Sequence, residues 1–256
     1  MSITATAAAL DPGLFDAMKY LNMPHARRQA AELLETARVQ RWGPHETLSA
    51  ILEIEVTGRQ AVSLQRRLRA LGVPESKTLA TFDAQLSTVP DQTLNYLTEL
   101  DWVTRQENLV IAGPAGTGKT HLCQALAHKV VTTGGKAQWL TLAQLEELVA
   151  AYRVDNRVDK KIHTLTNCDL IVIDDIGLLP VSDQAAEALY RVVEACYERT
   201  SIALSSNMHP ASFDTLMPKT LATATVDRLL HHAHLVQTSG DSVRMTQALA
   251  GVNITS

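Results

Sequence analysis

Apolar positions in the second half of the chain fall into short runs separated by longer mixed segments. Five runs of four or five residues predict strands, at Leu109–Ala112, Ala137–Leu140, Leu170–Asp174, Ile202–Ser206 and His234–Gln237. The segments between them predict helices, at Thr120–Val131, Leu142–Tyr152, Ser182–Glu198 and Leu221–His232. Because nearly continuous apolar strands with crossover helices form parallel sheets covered on both faces, this half is predicted to be a three-layer α/β domain.

The pattern changes in the first part of the chain, which is helical up to about Lys77. Ala30, Leu33, Leu34 and Ala37 follow the i, i+3, i+4, i+7 spacing of one apolar helix face. A second long helix is predicted from His45 to Leu71. We therefore predict a small all-helical domain over residues 1–77 and the α/β domain over residues 78–256, with a connector and one helix, Leu94–Val103, before the first strand.

Composition narrows the class of protein without changing this fold. The 256 residues are 46% hydrophobic and 20% charged, with a formal net charge of −4, as in ordinary folded proteins. The longest apolar runs are too short to cross a bilayer, and the first ten residues lack the charged region of a signal peptide. The three cysteines show no metal or redox spacing. We expect a cytoplasmic protein with reduced thiols and no membrane partner.

A basic stretch stands out against the acidic net charge. Residues 59–77 contain one acidic side chain, Glu75, and a basic set made of Arg59, Arg66, Arg67, Arg69 and Lys77. Such a set is a candidate surface for contact with DNA phosphates, although a solvated helix face is the commoner explanation of a charged run. The helical domain is accordingly a candidate for DNA or partner binding, with the four arginines as the predicted contacts.

A glycine-rich segment directly follows the first predicted strand. It has the form G-x-x-x-x-G-K-[ST] and consists of Gly113, Pro114, Ala115, Gly116, Thr117, Gly118, Lys119 and Thr120. Glycines let the backbone curl until successive N–H groups point at an anion, and the helix that follows adds positive partial charge. In such a loop the lysine reaches the β- and γ-phosphates and the threonine hydroxyl binds Mg²⁺. The strand–turn–helix context favours an ATP or GTP site over a chance turn.

Polar residues end two later strands. Asp174 and Asp175 end the third strand, at the edge where open α/β sheets bind ligands. Asp174 is a candidate Mg²⁺ ligand and Asp175 a candidate to orient or deprotonate the attacking water, with a plain turn as the alternative. Asn207 ends the next strand. Its amide is a candidate contact for the water or the γ-phosphate, or else forms an Asx-turn near Pro210.

The last predicted helix carries basic residues that allow several interpretations. Arg228 is either paired with Asp227 or an arginine finger that stabilises transition-state charge in the site of a neighbouring subunit. His231, His232 and His234 follow it. Adjacent histidines on a helix point in different directions, and no cysteine or carboxylate is spaced with them. The sequence therefore argues against a metal site among these histidines.

Together these motifs resemble the IstB/DnaC group of AAA+ ATPases. The resemblance rests on the glycine-rich loop with His121-Leu122, on Ile173–Gly177, on Ser205–Asn207 and on Asp227–His232, and it extends over the helical N-terminal part. It is closest to IstB, the helper of IS21-type insertion sequences. The resemblance implies an AAA+ (P-loop NTPase) fold without a full C-terminal lid, using ATP and Mg²⁺. It also implies homo-oligomers, with ATP at subunit interfaces, that assemble on double-stranded DNA and cooperate with a transposase.

The resemblance also assigns roles to particular positions. Site residues carried over from the family are Lys119, Thr120, His121, Asp174, Asp175, Asn207, Arg228 and Arg244. Arg228 becomes the finger acting in trans, and Arg244 approaches the nucleotide. The chain departs from the family pattern where Asp175 stands in place of the usual Glu and Val243 in place of Tyr. The Asp175 carboxylate is shorter by one C–C bond, about 1.5 Å, so we expect slow ATP hydrolysis. The resemblance implies that DNA stimulates this ATPase.

Three other functions remain open from the sequence. A replicative helicase loader of the DnaC type shares the ATPase core but works on single-stranded DNA with a helicase partner. A small-molecule P-loop kinase would need an arginine-rich lid near the loop, which the sequence does not show. An adaptor with nucleotide as a structural ligand is the third, and the Asp175 departure is compatible with it.

Overall fold

The computed structural model describes residues 10–153, 158–177, 182–240 and 242–243. The chain forms two compact units, Met1–Arg66 and Arg67–Ser256, which divide within one long helix. The predicted domain boundary between residues 77 and 78 stays a prediction. Within the described residues, no helix combines the length and the apolar character needed to cross a membrane.

Helices form the first unit, as predicted: α1 (Pro12–Tyr20), α2 (Pro24–Gln40) and most of α3 (Pro44–Leu71). Each of them begins at a proline, whose fixed φ suits the first helical position and whose missing N–H is not needed there. A small core of Met18, Ala26, Ala30 and Ile51 joins the three helices. Leu33 and Leu34 of the predicted stripe pack against it half-buried.

Contacts between α2 and α3 involve a buried carboxylate. Glu55 accepts the backbone N–H groups of His25 and Ala26, both at 2.9 Å, and so satisfies the first turn of α2. Burial raises the pKa of Glu55, but the hydrogen bonds from Arg59 and from the two N–H groups lower it below the usual value of 4.5. A Cβ at Gly58 would lie 2.2 Å from the His25 ring, so the helices approach closely there.

The connector before the first strand corrects one prediction. Instead of one helix over Leu94–Val103, the structure has α4 (Asp91–Glu99) and a single turn, α5 (Asp101–Thr104). Leu100 between them is left-handed, with φ of 64°. This break turns Trp102 into the core, where it is fully buried and its indole N–H donates to the Leu97 carbonyl at 3.0 Å.

The sheet has five parallel strands, which confirms the predicted α/β fold. They are β1 (Asn108–Ala112), β2 (Ala137–Thr141), β3 (Leu170–Ile176), β4 (Ser201–Ser206) and β5 (Ala233–Gln237), in the order β2-β3-β4-β1-β5. Leu109 of β1 pairs with Ala203 of β4 and with His234 of β5. Because all strands run the same way, the ends of β1, β3 and β4 meet at one edge.

Helices pack around this sheet: α6 (Lys119–Thr132), α7 (Leu142–Arg153), α8 (Val158–Leu165), α9 (Asp183–Cys196) and α10 (Lys219–Leu230). Three short 3₁₀ helices lie at Leu79–Thr81, Ala84–Leu86 and Pro210–Thr215. The sequence predictions missed α8, although its buried Val158, Ile162 and Leu165 follow helical spacing. All three cysteines are free, and burial raises the pKa of the Cys168 and Cys196 thiols to about 12.

Candidate nucleotide-binding site

The glycine-rich loop joins β1 to α6 in a backbone conformation that only glycine adopts easily. Gly116 and Gly118 have φ of 85° and 90°. A Cβ at Gly116 would lie 2.1 Å from the Ser242 hydroxyl oxygen, and one at Gly113 would lie 2.2 Å from the Thr238 carbonyl oxygen. The loop is therefore packed tightly against the chain that follows β5, and α6 begins at its last residues with its N-terminus facing the loop.

Hydrogen bonds hold this loop in shape. The Thr117 hydroxyl donates to the Pro114 carbonyl at 2.9 Å and is hydrogen-bonded to the Thr238 hydroxyl at 2.7 Å. The Val243 N–H donates to the Gly116 carbonyl at 3.1 Å. These bonds fix a curled backbone of the kind that binds phosphate through its N–H groups.

Lys119 and Asn207 are brought together at the centre of the site. The Lys119 side chain is buried, and its ammonium donates to the Asn207 amide oxygen at 2.9 Å and to the Pro114 carbonyl at 2.7 Å. The Asn207 N–H donates to the Ile176 carbonyl at 2.9 Å, which fixes the end of β4 against β3. Two residues 88 positions apart thus form one polar pair.

Asp174 lies beside this pair and is almost fully buried. Its Oδ1 accepts hydrogen bonds from the Thr120 hydroxyl, at 3.0 Å, and from the Ser205 hydroxyl. Its Oδ2 is buried and has no hydrogen-bond partner in the described part of the chain. Carboxylate and hydroxyl oxygens are the ligands that Mg²⁺ prefers. An unsatisfied carboxylate oxygen next to Thr120 therefore fits the predicted Mg²⁺ site.

Asp175 occupies a special backbone position. Its φ is 64°, which is uncommon for a residue with a side chain. The register between β3 and β4 shifts here, between Ile173 and Ile176, and the Asp175 N–H donates to the Ser205 hydroxyl at 3.2 Å. While Asp174 points into the core, Asp175 is exposed and lines the cleft over the loop. The register shift thus gives two adjacent carboxylates different surroundings, one buried and one exposed.

A cleft of about 650 Å³ covers the loop, and its second wall comes from a segment that sequence reasoning did not assign to the site. This wall consists of Pro74, Ser76, Lys77, Thr81, Phe82, Asp83, Leu86 and Ser87. Phe82 meets the His121 ring edge to face at a centroid distance of 5.4 Å. Burial, and then the charge of Lys77, lower the pKa of His121. One available signal is Phe82 itself, one of three phenylalanines in the chain, in a connector of mixed polarity.

Arg228, one of the two arginines predicted to contact the nucleotide, stands apart from this cleft. Arg228 on α10 pairs with Glu194 of α9, and its guanidinium lies 5.5 Å from the centre of the Tyr190 ring. The alternative pairing with Asp227 is therefore wrong, because the guanidinium contacts Glu194 and Tyr190 of α9 instead. Arg228 is not among the residues that line the cleft. Arg244 lies outside the described residues.

The four arginines predicted to contact DNA have different surroundings. Arg59 donates to Glu55 at 2.7 Å and to the Asn22 carbonyl, so its guanidinium is held within the first unit. Arg67 donates to the carbonyls of Gly134, at 2.5 Å, and Gly135, at 3.1 Å. Arg66 and Arg69 are exposed on α3. Their role in DNA binding stays a prediction.

Solved structures with similar folds include the AMPPCP-bound DnaA from Aquifex aeolicus, with a TM-score of 0.55 and 20% identity over 71% of this chain and 57% of that one. The DnaC helicase loader has a TM-score of 0.50 and 19% identity, over 64% of this chain and 97% of that one. At these identities the likeness establishes the fold, which is that of AAA+ P-loop proteins.

Sequence comparison gives a more specific result. A protein described as the ATP-binding protein of insertion sequence IS21 in Pseudomonas aeruginosa is 32% identical over 89% of this chain and 86% of its own length. The corresponding protein of IS5376 in Geobacillus stearothermophilus is 30% identical over 89% of this chain and 91% of its own. The family model for IstB-like ATP binding proteins matches residues 16–250. The chain therefore belongs to the IstB-like family of ATP-binding proteins.

Proposed function

We propose that this chain is the ATP-hydrolysing helper of an insertion sequence, which binds double-stranded DNA in its ATP state and cooperates with a transposase. The observation that carries the proposal is the pairing of Lys119 with Asn207 beside the pairing of Thr120 with Asp174. Four residues from three separate parts of the chain thereby meet at the sheet edge, at the end of a phosphate-binding loop. Membership of a family whose relatives are ATP-binding proteins of insertion sequences supports the transposition context.

The chemistry proposed for the site follows from the charges of its residues. Backbone N–H groups of residues 113–120 bind the ATP phosphates, and Lys119 donates to the β- and γ-oxygens. Thr120 and Asp174 hold Mg²⁺, which when bound neutralises phosphate charge. The exposed Asp175 carboxylate orients or deprotonates the attacking water, and the Asn207 amide donates to the water or the γ-phosphate. The short Asp175 side chain slows this step and prolongs the ATP-bound state.

Arg228 is proposed to complete the site of a neighbouring subunit. The side chain is about 30% exposed on α10 and does not line its own cleft. A guanidinium at the γ-phosphate stabilises the charge of the transition state. Its ion pair with Glu194 keeps it extended across α9 in the single chain. Hydrolysis then depends on oligomer formation, and ATP at the interface makes assembly depend on nucleotide.

DNA binding is proposed for the exposed arginines of α3. Arg66 and Arg69 are exposed, whereas the guanidinium groups of Arg59 and Arg67 already donate to groups in the protein. Contacts to phosphates carry no sequence information and release counterions. Binding is then largely independent of sequence and weakens with salt, and each lost contact lowers the slope of log K against log salt by about 0.9.

The test is fluorescence anisotropy of a random-sequence duplex and a matching single strand, each with ATP, ADP or no nucleotide. Tight binding to the duplex with ATP alone, lost in Lys119→Ala, is the expected result. Arg66→Ala should weaken duplex binding and reduce its salt dependence, while Gln65→Ala, at an exposed uncharged neighbour in α3, serves as the control. Preference for the single strand would instead favour a helicase loader. Binding to neither the duplex nor the single strand would contradict both the transposition helper and the helicase loader.

A further inference from the structure

A carboxylate and two histidines come together at the surface, away from the nucleotide cleft. Glu198, His231 and His232 each offer a ligand atom, and these atoms lie within 4.8 Å of one another. Glu198 follows α9, whereas the two histidines follow α10. The sequence argued against a metal site because no carboxylate was spaced with the histidines. The fold supplies one from 33 positions away.

The backbone on both sides of this cluster is held in place. The His232 carbonyl accepts the Asn108 N–H of β1 at 2.7 Å, and the Leu229 carbonyl accepts the Asn108 amide at 3.0 Å. After α9, the N–H groups of Arg199 and Thr200 both donate to the Cys196 carbonyl, at 2.9 and 3.0 Å. The two turns are therefore fixed, and the three side chains approach one another from rigid attachment points.

A second contact orients the first histidine. The Tyr197 hydroxyl is hydrogen-bonded to His231 Nδ1 at 2.8 Å, and the Tyr197 ring stacks on the imidazole with centroids 5.7 Å apart. With Nδ1 engaged, Nε2 is the nitrogen of His231 that remains as a ligand. Outer hydrogen bonds of this kind fix the tautomer and ring orientation of metal-binding histidines. The His231 and His232 rings lie 4.1 Å apart, which is compatible with binding one ion.

We propose that Glu198, His231 and His232 form a Zn²⁺ site that joins the ends of α9 and α10. Two imidazole nitrogens and one carboxylate oxygen are a set that zinc accepts, with the fourth position left to water or to a partner molecule. Ligand atoms around tetrahedral zinc are about 3.3 Å apart, so small rotations of three exposed side chains close the site. Hard cations such as Mg²⁺ prefer oxygen ligands and are disfavoured here.

The position of the site gives it a structural consequence. Glu194 and Arg228, which pair between the same two helices, lie four residues before Glu198 and His232 in the sequence. A metal at the helix ends therefore restrains the element that carries Arg228. Because the ion binds the folded chain, Zn²⁺ raises its thermal stability, and the gain grows with the logarithm of the ratio of the free Zn²⁺ concentration to the dissociation constant.

The experiment is titration of the full chain, with any purification tag removed, by ZnCl₂ in calorimetry and by CoCl₂ in visible absorption, without nucleotide. One ion bound per chain and cobalt d–d bands typical of low coordination number are expected. Both should be lost or weakened at least tenfold in His232→Ala and in the isosteric Glu198→Gln. His45→Ala removes an exposed histidine of α3 and should bind Zn²⁺ as wild type does. Unchanged Zn²⁺ binding in Asp174→Asn would exclude the nucleotide site as the place where the ion binds.

Two results would overturn the proposal. One is that the chain binds no Zn²⁺ at Zn²⁺ concentrations up to those at which unstructured histidine-containing peptides bind the ion. The other is binding that survives both His232→Ala and Glu198→Gln, or that falls equally in His45→Ala. Circular dichroism of each variant without metal shows whether it folds, so that a folding defect is not mistaken for lost binding. A rise in unfolding temperature with Zn²⁺ in wild type and not in Glu198→Gln supports the site independently.

Discussion

Arg66 and Arg67 are neighbours on α3 with different surroundings, and their alanine variants should behave differently. Arg67 Nη1 donates to the carbonyls of Gly134 and Gly135, just beyond the C-terminal end of α6. Carbonyls and the negative end of the helix dipole both favour a cation there. Arg66 is exposed. We therefore expect Arg67→Ala to destabilise the second unit, and Arg66→Ala to leave stability unchanged while weakening DNA binding.

The size of the Arg67 effect follows from its contacts. A hydrogen bond to a charged group contributes about 1.5–3 kcal/mol, but both bonds here share one nitrogen and together count for less than two. The helix end adds about 0.3–1 kcal/mol. Ordering the side chain costs about 1.5–2 kcal/mol, and the buried Nε has no partner among the described residues, which costs more. A net loss of about 1–2 kcal/mol remains.

Thermal unfolding followed by circular dichroism, without nucleotide, measures this difference. For a unit of this size the loss corresponds to a fall in Tm of about 2–8 °C, whereas an ordinary surface change stays within about 0.5 kcal/mol. Duplex binding by the folded Arg67→Ala protein should match wild type. If Arg67→Ala kept its Tm and lost DNA affinity as Arg66→Ala does, the assignment of Arg67 to α6 would be refuted.

Three further predictions concern single residues. Arg228→Ala should bind ATP yet lose at least about 10³-fold in turnover; mixing it with inactive Lys119→Ala should restore phosphate release, and no recovery would contradict action in trans. Asp175→Glu lengthens the side chain by about 1.5 Å and should speed hydrolysis at saturating ATP; equal or slower turnover would count against its role with water. Because the pKa of Glu55 is lowered, its stabilisation is present above pH 4.5 and is lost below it; pH-dependent unfolding should flatten in that range in Glu55→Gln.

The sequence was sufficient for the strands and the loop for a simple physical reason. Buried parallel strands are apolar on both faces, so each one forms a short continuous run that is visible without knowledge of its neighbours. The glycines of the loop are a similarly local signal, since the motif that they form is read from eight consecutive residues. The helix predicted over Leu94–Val103 was wrong because the burial of Trp102, a tertiary contact, breaks it at Leu100.

Partners distant in sequence could not be predicted in the same way. Arg67 was predicted to contact DNA because the sequence shows its charge. The sequence does not show that its guanidinium binds the Gly134 and Gly135 carbonyls, which are distant in the chain. The wall of the cleft around Phe82 was missed for the same reason, because a connector shows no periodicity that aims it at the loop. The order of the strands in the sheet decides which strand ends lie side by side. The spacing of the strands along the chain does not predict the observed order β3-β4-β1.

The pairing of Lys119 with Asn207 leads to a prediction that separates nucleotide binding from folding. A buried ammonium needs partners, and Asn207 supplies one of them in the chain itself. Asn207→Ala should therefore lower the free energy of unfolding without nucleotide by about 1–2 kcal/mol, seen as a lower Tm; the loss is limited to this size because the cleft admits water. Phosphate oxygens replace the lost partner, so the gap from wild type should narrow with saturating ATP and Mg²⁺. Asn95→Ala, an exposed asparagine of α4, is the control. A gap that is equally large with and without ATP would mean that Asn207 supports the fold and not the charge of Lys119.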